Sequence, residues 1–327
     1  MKAIVYTRYG SPDVLEFTEV AKPAPKDDEV LIKVHAASVN SGDIHLLRAD
    51  PFLTRLYSGL LKPKFNILGA DVAGEVEAVG KTVTQFRPGD AVFGDISACS
   101  WGSFAEYVCA RESALALKPA NITYEQAAAA PMAAVTALQG LRDKGKIQAG
   151  QKVLINGASG GVGTFAVQIA KYFGAEVTAV CSPRNLETAL SLGADDVIDY
   201  SREDFSENGQ SYDLIFAANG NRSIADYRRA LSPSGTYVMS GGSTAQLSEA
   251  MLQGPWISMR GNKKMGNSLA KPSQADLVFV KELLEAGKVI PVIDRTYPLS
   301  DAADALRYLE EGHARGKVVI TVNGHGK

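Results

Sequence analysis

The stretch KVLINGASGGVGTFAVQIAK, residues 152–171, constrains the fold more than any other part of this chain. A short apolar strand runs directly into clustered glycines. A helix follows, with Val162, Phe165, Ala166, Ile169 and Ala170 on one side. Strand, tight turn and helix in that order is what a dinucleotide pyrophosphate needs, because the first helical turn offers unpaired N–H groups and a partial positive charge. The fingerprint is not literal. Ala158-x-Gly160-x-x-Gly163 starts where the strand stops, whereas Gly161-x-Gly163-x-x-Ala166 would place the turn inside the helix; the first register is preferred. From Gln151 onward, strands and helices continue to alternate through EVTAVC, RNLETALSLG, DDVIDY, DLIFAAN, IADYRRAL and GTYVMSGG. That rhythm predicts an α/β domain with a doubly wound parallel sheet.

The same letters allow a second machine. Gly157-Ala158-Ser159-Gly160-Gly161 fits the G-x-S-x-G elbow of a serine nucleophile, and Asp294 and His313 follow in the chain order a hydrolase would need. That reading leaves Gly163 and the apolar-faced helix unexplained and finds no HGGG-like oxyanion motif. His313 also lies in EEGHARGK, which reads as a solvated turn. The dinucleotide reading is the stronger.

The next strand, EVTAVC, ends about 20 residues further on, where the ribose is read. An NAD site places Asp or Glu there; this chain has Cys181-Ser182-Pro183-Arg184-Asn185. With no carboxylate to repel a 2′-phosphate, and with the Ser182 hydroxyl and the Arg184 guanidinium at hand, NADPH is the expected cofactor. Asn219 and Gly241 end later strands on the same side of such a sheet.

The first hundred or so residues have a different texture. KAIVYT, EVLIKVHAASV, GADVAGEVEAVG and RPGDAVFG read as short strands punctuated by turns, the pattern of a partly open β-barrel. Near residue 121 the texture changes to the alanine-rich NITYEQAAAAPMAAVTALQGLRD, with Thr123 as N-cap and Pro131 predicted to kink or split the helix. At 327 residues, two domains are expected. The net charge of -2 gives no basic face for nucleic acid and no reason to seek an anionic membrane, and no apolar run is long enough for a transmembrane segment. Three scattered cysteines exclude a disulfide framework and suit a reducing compartment, so a cytoplasmic enzyme with a small-molecule partner is expected.

GQKVLINGASGGVGTFAVQIAK resembles the signature of the quinone oxidoreductase and zeta-crystallin branch of the medium-chain dehydrogenase/reductase superfamily. AASVNSGDIHLLRA, LGADVAGEVEAVG, FRPGDAVFG, GSFAEYV, AAAAPMAAVTALQGL, LGADDVIDY and HARGKVVI resemble it as well, in the family's order, so the likeness covers nearly the whole chain. It implies a GroES-like β-barrel domain over 1–122, completed by 290–327, and a Rossmann NADPH-binding domain over 123–289. Substrate and nicotinamide would share the cleft between them. It also implies a homodimer, paired through the edge of strand GTYVMSG.

Zinc-dependent relatives place a cysteine where this chain has Asn40, a His-Glu pair at Ala70-Asp71 and a cysteine near Met132. Amide, methyl and thioether do not make a catalytic zinc site, so no metal is expected. Without a Lewis acid, charge developing on the substrate must be delocalised or held by hydrogen bonds. Quinones and α,β-unsaturated carbonyls delocalise it themselves. The resemblance therefore implies a zinc-free, NADPH-dependent reductase of quinones or activated alkenes; the same fold used only to bind NADPH, as a sensor or structural protein, is the alternative.

In the segment matching the family's active-site loop, Asn40 is a candidate amide donor, Asp43 a brace for the loop, and His45 a proton donor or a pocket wall where many relatives carry tyrosine. For the cofactor, the resemblance adds Thr136 facing the nicotinamide, the turn residues Ala158, Ser159, Gly160, Gly161, Val162 and Gly163, Tyr200 by the adenosine phosphate, and Lys317 reaching toward phosphate. His35 reads as structural. Trp256 and Met259, in WISMRGNKKMGNSLAKP, match the variable substrate wall.

Overall fold

The computed structural model describes residues 1–99, 101–220, 222–242 and 262–322. The chain forms two compact units. One comprises Met1–Met132, Pro272–Gly287 and Pro291–Lys327; the other comprises Ala133–Lys271 and Lys288–Ile290.

The first unit opens with the hairpin of β1 (Lys2–Val5) and β2 (Glu16–Glu19) and the long strand β3 (Glu29–Val39). Helices α1 (Ser41–Arg48) and α2 (Thr54–Ser58) follow, then β4 (Asp71–Val79), β5 (Ala91–Asp95), β6 (Tyr107–Arg111) and β7 (Leu115–Leu117). On one edge of β3, the first half pairs with β6 from Glu29 to Lys33; β4 pairs with it antiparallel along the other. Helix α3 (Tyr124–Ala128) starts at Thr123, whose hydroxyl accepts from Gln126 N–H (3.2 Å) while the Gln126 side chain accepts from Thr123 N–H (3.0 Å). Thr123 is the N-cap the sequence predicts, and Gln126 completes a reciprocal box. Pro131 splits the alanine-rich run by opening α4 (Pro131–Leu138), the helical position where its missing N–H costs nothing.

The second unit alternates β8 (Lys152–Asn156), α5 (Gly161–Tyr172), β9 (Glu176–Cys181), α6 (Leu186–Ser191), β10 (Asp196–Asp199), β11 (Tyr212–Ala217), α7 (Ile224–Ala230), β12 (Leu231–Met239) and β13 (Lys264–Asn267). All pairings are parallel, and the strand order is β10-β9-β8-β11-β12-β13. The sequence of strands reverses direction between β8 and β11, which makes the mouth of that pair the switch point where such sheets take ligands. Strand β12 is interior. Among the described residues the edge is β13, so the expected pairing of two copies through GTYVMSG is corrected: β13 covers that strand.

The chain then returns to the first unit as α8 (Gln274–Glu285), β14 (Ile293–Pro298), α9 (Ala302–Glu310) and β15 (Lys317–Thr321). Strand β15 pairs with the second half of β3, Val318 opposite Val39. The division differs from the expected boundaries in three places, since 123–132 and 272–287 belong with the barrel and Ile290 with the second unit. Helix α3 packs on β3 and β4. The Gln274 amide, at the start of α8, donates to Glu112 O (3.0 Å) and Leu115 O (2.9 Å). Each unit has its own core, one around Ile32, Val72, Val92 and Ile320, the other around Leu154, Ile215, Tyr227 and Tyr237.

Candidate functional site

In the second unit the carboxyl end of the sheet gathers most of the predicted cofactor residues. After β8 the chain turns at Gly157, whose φ of +80° a side chain rarely adopts; a Cβ there would also lie 2.9 Å from Asn219 N. Gly157 N–H and Ala158 N–H both donate to Val180 O (3.2 and 3.1 Å), tying the turn to the end of β9. Helix α5 begins at Gly160 with no side-chain cap, so its first N–H groups are available to a ligand. A Cβ on Gly163 would collide with Gly157 O and approach Ala158 Cα to 2.8 Å. The glycines thus let helix and strand close together and keep the space above the first helical turn clear. Ser159, Gly160, Gly161 and Val162 line that turn, half-buried.

Neighbouring strand ends supply the rest. Asp199 pairs with Cys181, so Ser182 and Tyr200 leave adjacent strands side by side. Ser182 Oγ accepts from Asn185 Nδ2 (2.9 Å), which leaves its own proton to give; Arg184 is exposed and Tyr200 half exposed. Asn219 N donates to Asn156 O (3.3 Å), and Gly241 O accepts from Gly220 N–H (2.9 Å), so both lie at the same end of the sheet. Thr136 is half-buried on α4; no hydrogen bond among the described residues links it to this end. Trp256 and Met259 lie outside the described residues.

The first unit holds a buried polar cluster at the end of β3. Ser38, Asn40, Asp43, Asp71 and Lys317 are each at most 8% exposed. Asp71 sits opposite Ser38 on β3 and Asp95 on β5. Its carboxylate accepts from Ser38 Oγ (2.7 Å), Asn40 Nδ2 (2.9 Å) and Met132 N–H (2.9 Å), and forms a 3.4 Å ion pair with Lys317 Nζ. Lys317 also donates to Asn40 Oδ1. The second Asn40 amide hydrogen goes to Ser38 O (3.3 Å). In this arrangement every polar atom of the Asn40 amide has a partner within the barrel. Lys317 is buried rather than solvated: β15 lays it beside the end of β3, where a buried ammonium needs a carboxylate.

Asp43 braces the loop, as expected. Its carboxylate accepts from Asn40 N–H (2.8 Å) at the start of α1 and from Gly69 N–H (2.8 Å) across the loop. Burial pushes its pKa up to about 7, against the pull of those two N–H groups. Asp95 rises to about 6, by burial first and by the nearby Asp71 charge second. His45 is exposed on α1, and its Nδ1 lies 2.7 Å from Asp50 O. A carbonyl only accepts, so Nδ1 carries the proton and Nε2 faces outward as an acceptor in the neutral ring. His35 stacks on Tyr124 with ring centroids 4.3 Å apart, as a structural residue would. Within the barrel unit the hydrolase reading finds no support: Asp294 accepts from Tyr308 OH (2.6 Å) and Arg315 N–H (2.8 Å), and no hydrogen bond among the described residues joins it to the exposed His313. The sequence reading missed Asp71. Its signal was a carboxylate inside the otherwise apolar run LGADVAG.

A GroES-like barrel and a six-stranded parallel sheet with a glycine turn at its switch point define a class, the medium-chain dehydrogenases/reductases. Residues 26–120 match the family model of the alcohol dehydrogenase GroES-like domain, and 192–320 that of the zinc-binding dehydrogenases. A spinach chloroplastic quinone-oxidoreductase homologue is 36% identical over 98% of each chain. An Arabidopsis thaliana chloroplastic NADPH-dependent alkenal/one oxidoreductase is also 36% identical, over 98% of this chain and 79% of its own length. Among solved structures, the quinone oxidoreductase from Coxiella burnetii superposes with a TM-score of 0.87 at 31% identity, over 99% of both chains. The chain belongs to the quinone oxidoreductase branch of the medium-chain dehydrogenase/reductase superfamily.

Proposed function

We propose that this protein is an NADPH-dependent reductase that transfers hydride to quinones or α,β-unsaturated carbonyl compounds. The observation that carries it is the glycine-walled turn and uncapped start of α5 at the switch point of the sheet. The residues there fit a dinucleotide. The α5 N–H groups would hold the pyrophosphate, and Ser182, Arg184 and Tyr200 would surround the adenosine 2′-phosphate. Bound NADPH supplies the hydride.

The donor set of the barrel cluster suits conjugated acceptors. Asn40, Ala70 and Met132 offer no thiolate or imidazole to a metal, and a Lys317 ammonium already neutralises Asp71. Among the described residues no group of three His, Cys, Asp or Glu side chains is placed to hold an ion. An acceptor that spreads its own negative charge needs less from the protein than a simple ketone does. With Nδ1 bonded to Asp50 O, the Nε2 of His45 is an acceptor in the neutral ring.

No described helix is long and apolar enough to cross a membrane. Free Cys99, Cys109 and Cys181 support a reducing compartment such as the cytoplasm, and β13, the terminal strand of the sheet among the described residues, supports a homodimer.

The test is NADPH oxidation by the purified protein with a benzoquinone, a naphthoquinone, an alkenone, an alkenal and a simple ketone, with NADH and EDTA controls. Turnover confined to conjugated acceptors and indifferent to EDTA is expected. NADPH binding without turnover on any acceptor would favour the sensor reading, and turnover of the simple ketone abolished by EDTA would overturn the zinc-free chemistry.

A further inference from the structure

The segment joining α1 to β4 carries a concentration of exposed apolar side chains unlike any other in the described residues. Phe52 is 68% exposed, Leu53 70%, Leu56 71%, Tyr57 53%, Leu60 59% and Leu61 95%. All fall within one short helix and its flanks, whereas the other exposed large hydrophobics are scattered singly along the chain. Single exposed apolar residues need no explanation; a contiguous group does.

The segment is held from beneath. Tyr9 OH donates to Gly59 O (2.6 Å), Tyr57 OH donates to Ser97 O (3.0 Å), and Lys64 N–H donates to Ser58 O (2.6 Å). Arg55 donates to Leu60 O (3.3 Å) and lies over the Tyr9 ring. The polar anchors, the Tyr57 hydroxyl among them, face the barrel, while Phe52, Leu53, Leu56, Leu60 and Leu61 stay exposed. A side chain as exposed as Leu61 stands on a convex surface, so it does not line a small-molecule pocket, which is concave.

Charge identifies what covers this face. From Pro51 to Phe65 there are three basic residues, Arg55, Lys62 and Lys64, and no acidic one, in a chain whose net charge is -2. Lys62 and Lys64 are exposed, and neither has an acidic partner among the described residues. We propose that this face docks on an anionic lipid surface, with Leu56, Leu60, Leu61 and Phe52 entering the headgroup boundary and Lys62 and Lys64 meeting lipid phosphates. A second copy is the weaker occupant, because a two-fold contact sets the same positive charges against one another. The whole-chain charge gave no reason to look for a membrane. The local charge does, because lipid phosphates respond to charges within a Debye length and not to the sum over the molecule. The proposal is independent of the reductase reading.

The experiment is co-sedimentation of the full chain with phosphatidylglycerol vesicles and, separately, phosphatidylcholine vesicles, at low and high salt. NADPH binding, measured by its fluorescence, checks that each variant keeps its cofactor unit. Wild type should pellet with phosphatidylglycerol and not with phosphatidylcholine, and high salt should release it. Lys62→Glu with Lys64→Glu should weaken the partition about twentyfold or more, at roughly fivefold per basic residue lost. Leu61→Asp should weaken it about tenfold or more. Wild type left in the supernatant, equal pelleting with both lipids, or variants that pellet like wild type would each overturn the proposal. So would self-association without vesicle binding that Leu61→Asp abolishes, since the face would then join two copies.

Discussion

Asp43 is a residue whose protonation should be visible in stability. Its pKa of about 7 in the folded chain exceeds the ~3.9 of an unfolded aspartate, so between those values the native state holds a proton that the unfolded chain has released. Its contribution to stability is therefore greatest below about pH 4, declines as pH rises, and levels off above about pH 7. Asp43→Asn removes that titration and one of two acceptors. The stability advantage of wild type over this variant should narrow between pH 4.5 and 7 by roughly 2–4 kcal/mol; an advantage that is flat with pH in urea melts would show that the carboxyl is ionised throughout. Lys317 makes a different prediction. Lys317→Met strands the Asp71 carboxylate in the barrel and should cost about 3–5 kcal/mol. Adding Asp71→Asn should restore part of that loss, and a double variant weaker than the single one would mean that the pair is not what stabilises this end of β3.

At the scale of elements, the turn between β8 and α5 depends on glycine for space as well as for backbone freedom. Gly163→Ala would drive a methyl group into Gly157 O and the Ala158 backbone, and should destabilise the fold by about 1–3 kcal/mol. It should also weaken NADPH binding, because relief requires the strand and helix to part. A variant with wild-type melting and wild-type affinity would show that the turn has slack. This element was legible in sequence down to its register, since strand, glycines and apolar helix face are neighbours in the chain. The Thr123 cap and the break at Pro131 were legible for the same reason. The sheet edge was not. GTYVMSG reads as a final strand, and only the pairing of Lys264–Asn267 with it makes it interior.

For the molecule as a whole, ligand linkage offers the most direct measurement. A cofactor that binds only the native state raises its stability by about 2.7 kcal/mol at a hundredfold excess over Kd. NADPH should therefore raise the melting temperature more than NADH at equal concentration. Arg184→Ala should erase the difference by weakening NADPH about tenfold or more, as loss of a charge-assisted hydrogen bond does. An equal loss for both cofactors in a thermal-shift titration would remove Arg184 from the 2′-phosphate.

The sequence by itself determined the two-part architecture, the phosphate turn and the absence of a carboxylate after β9. Each of these is written in residues adjacent along the chain, where hydrophobic period, caps and turn chemistry act locally. Only the tertiary structure decided that Lys317 meets Asn40, 277 residues away in sequence, that the Asn40 amide is fully engaged, and that Phe52, Leu53, Leu56, Leu60 and Leu61 stay exposed on an anchored segment. Those outcomes depend on how β15 pairs with β3 and on which surfaces remain uncovered. Pairing between distant strands is chosen by the packing of the whole unit, and no local pattern records it.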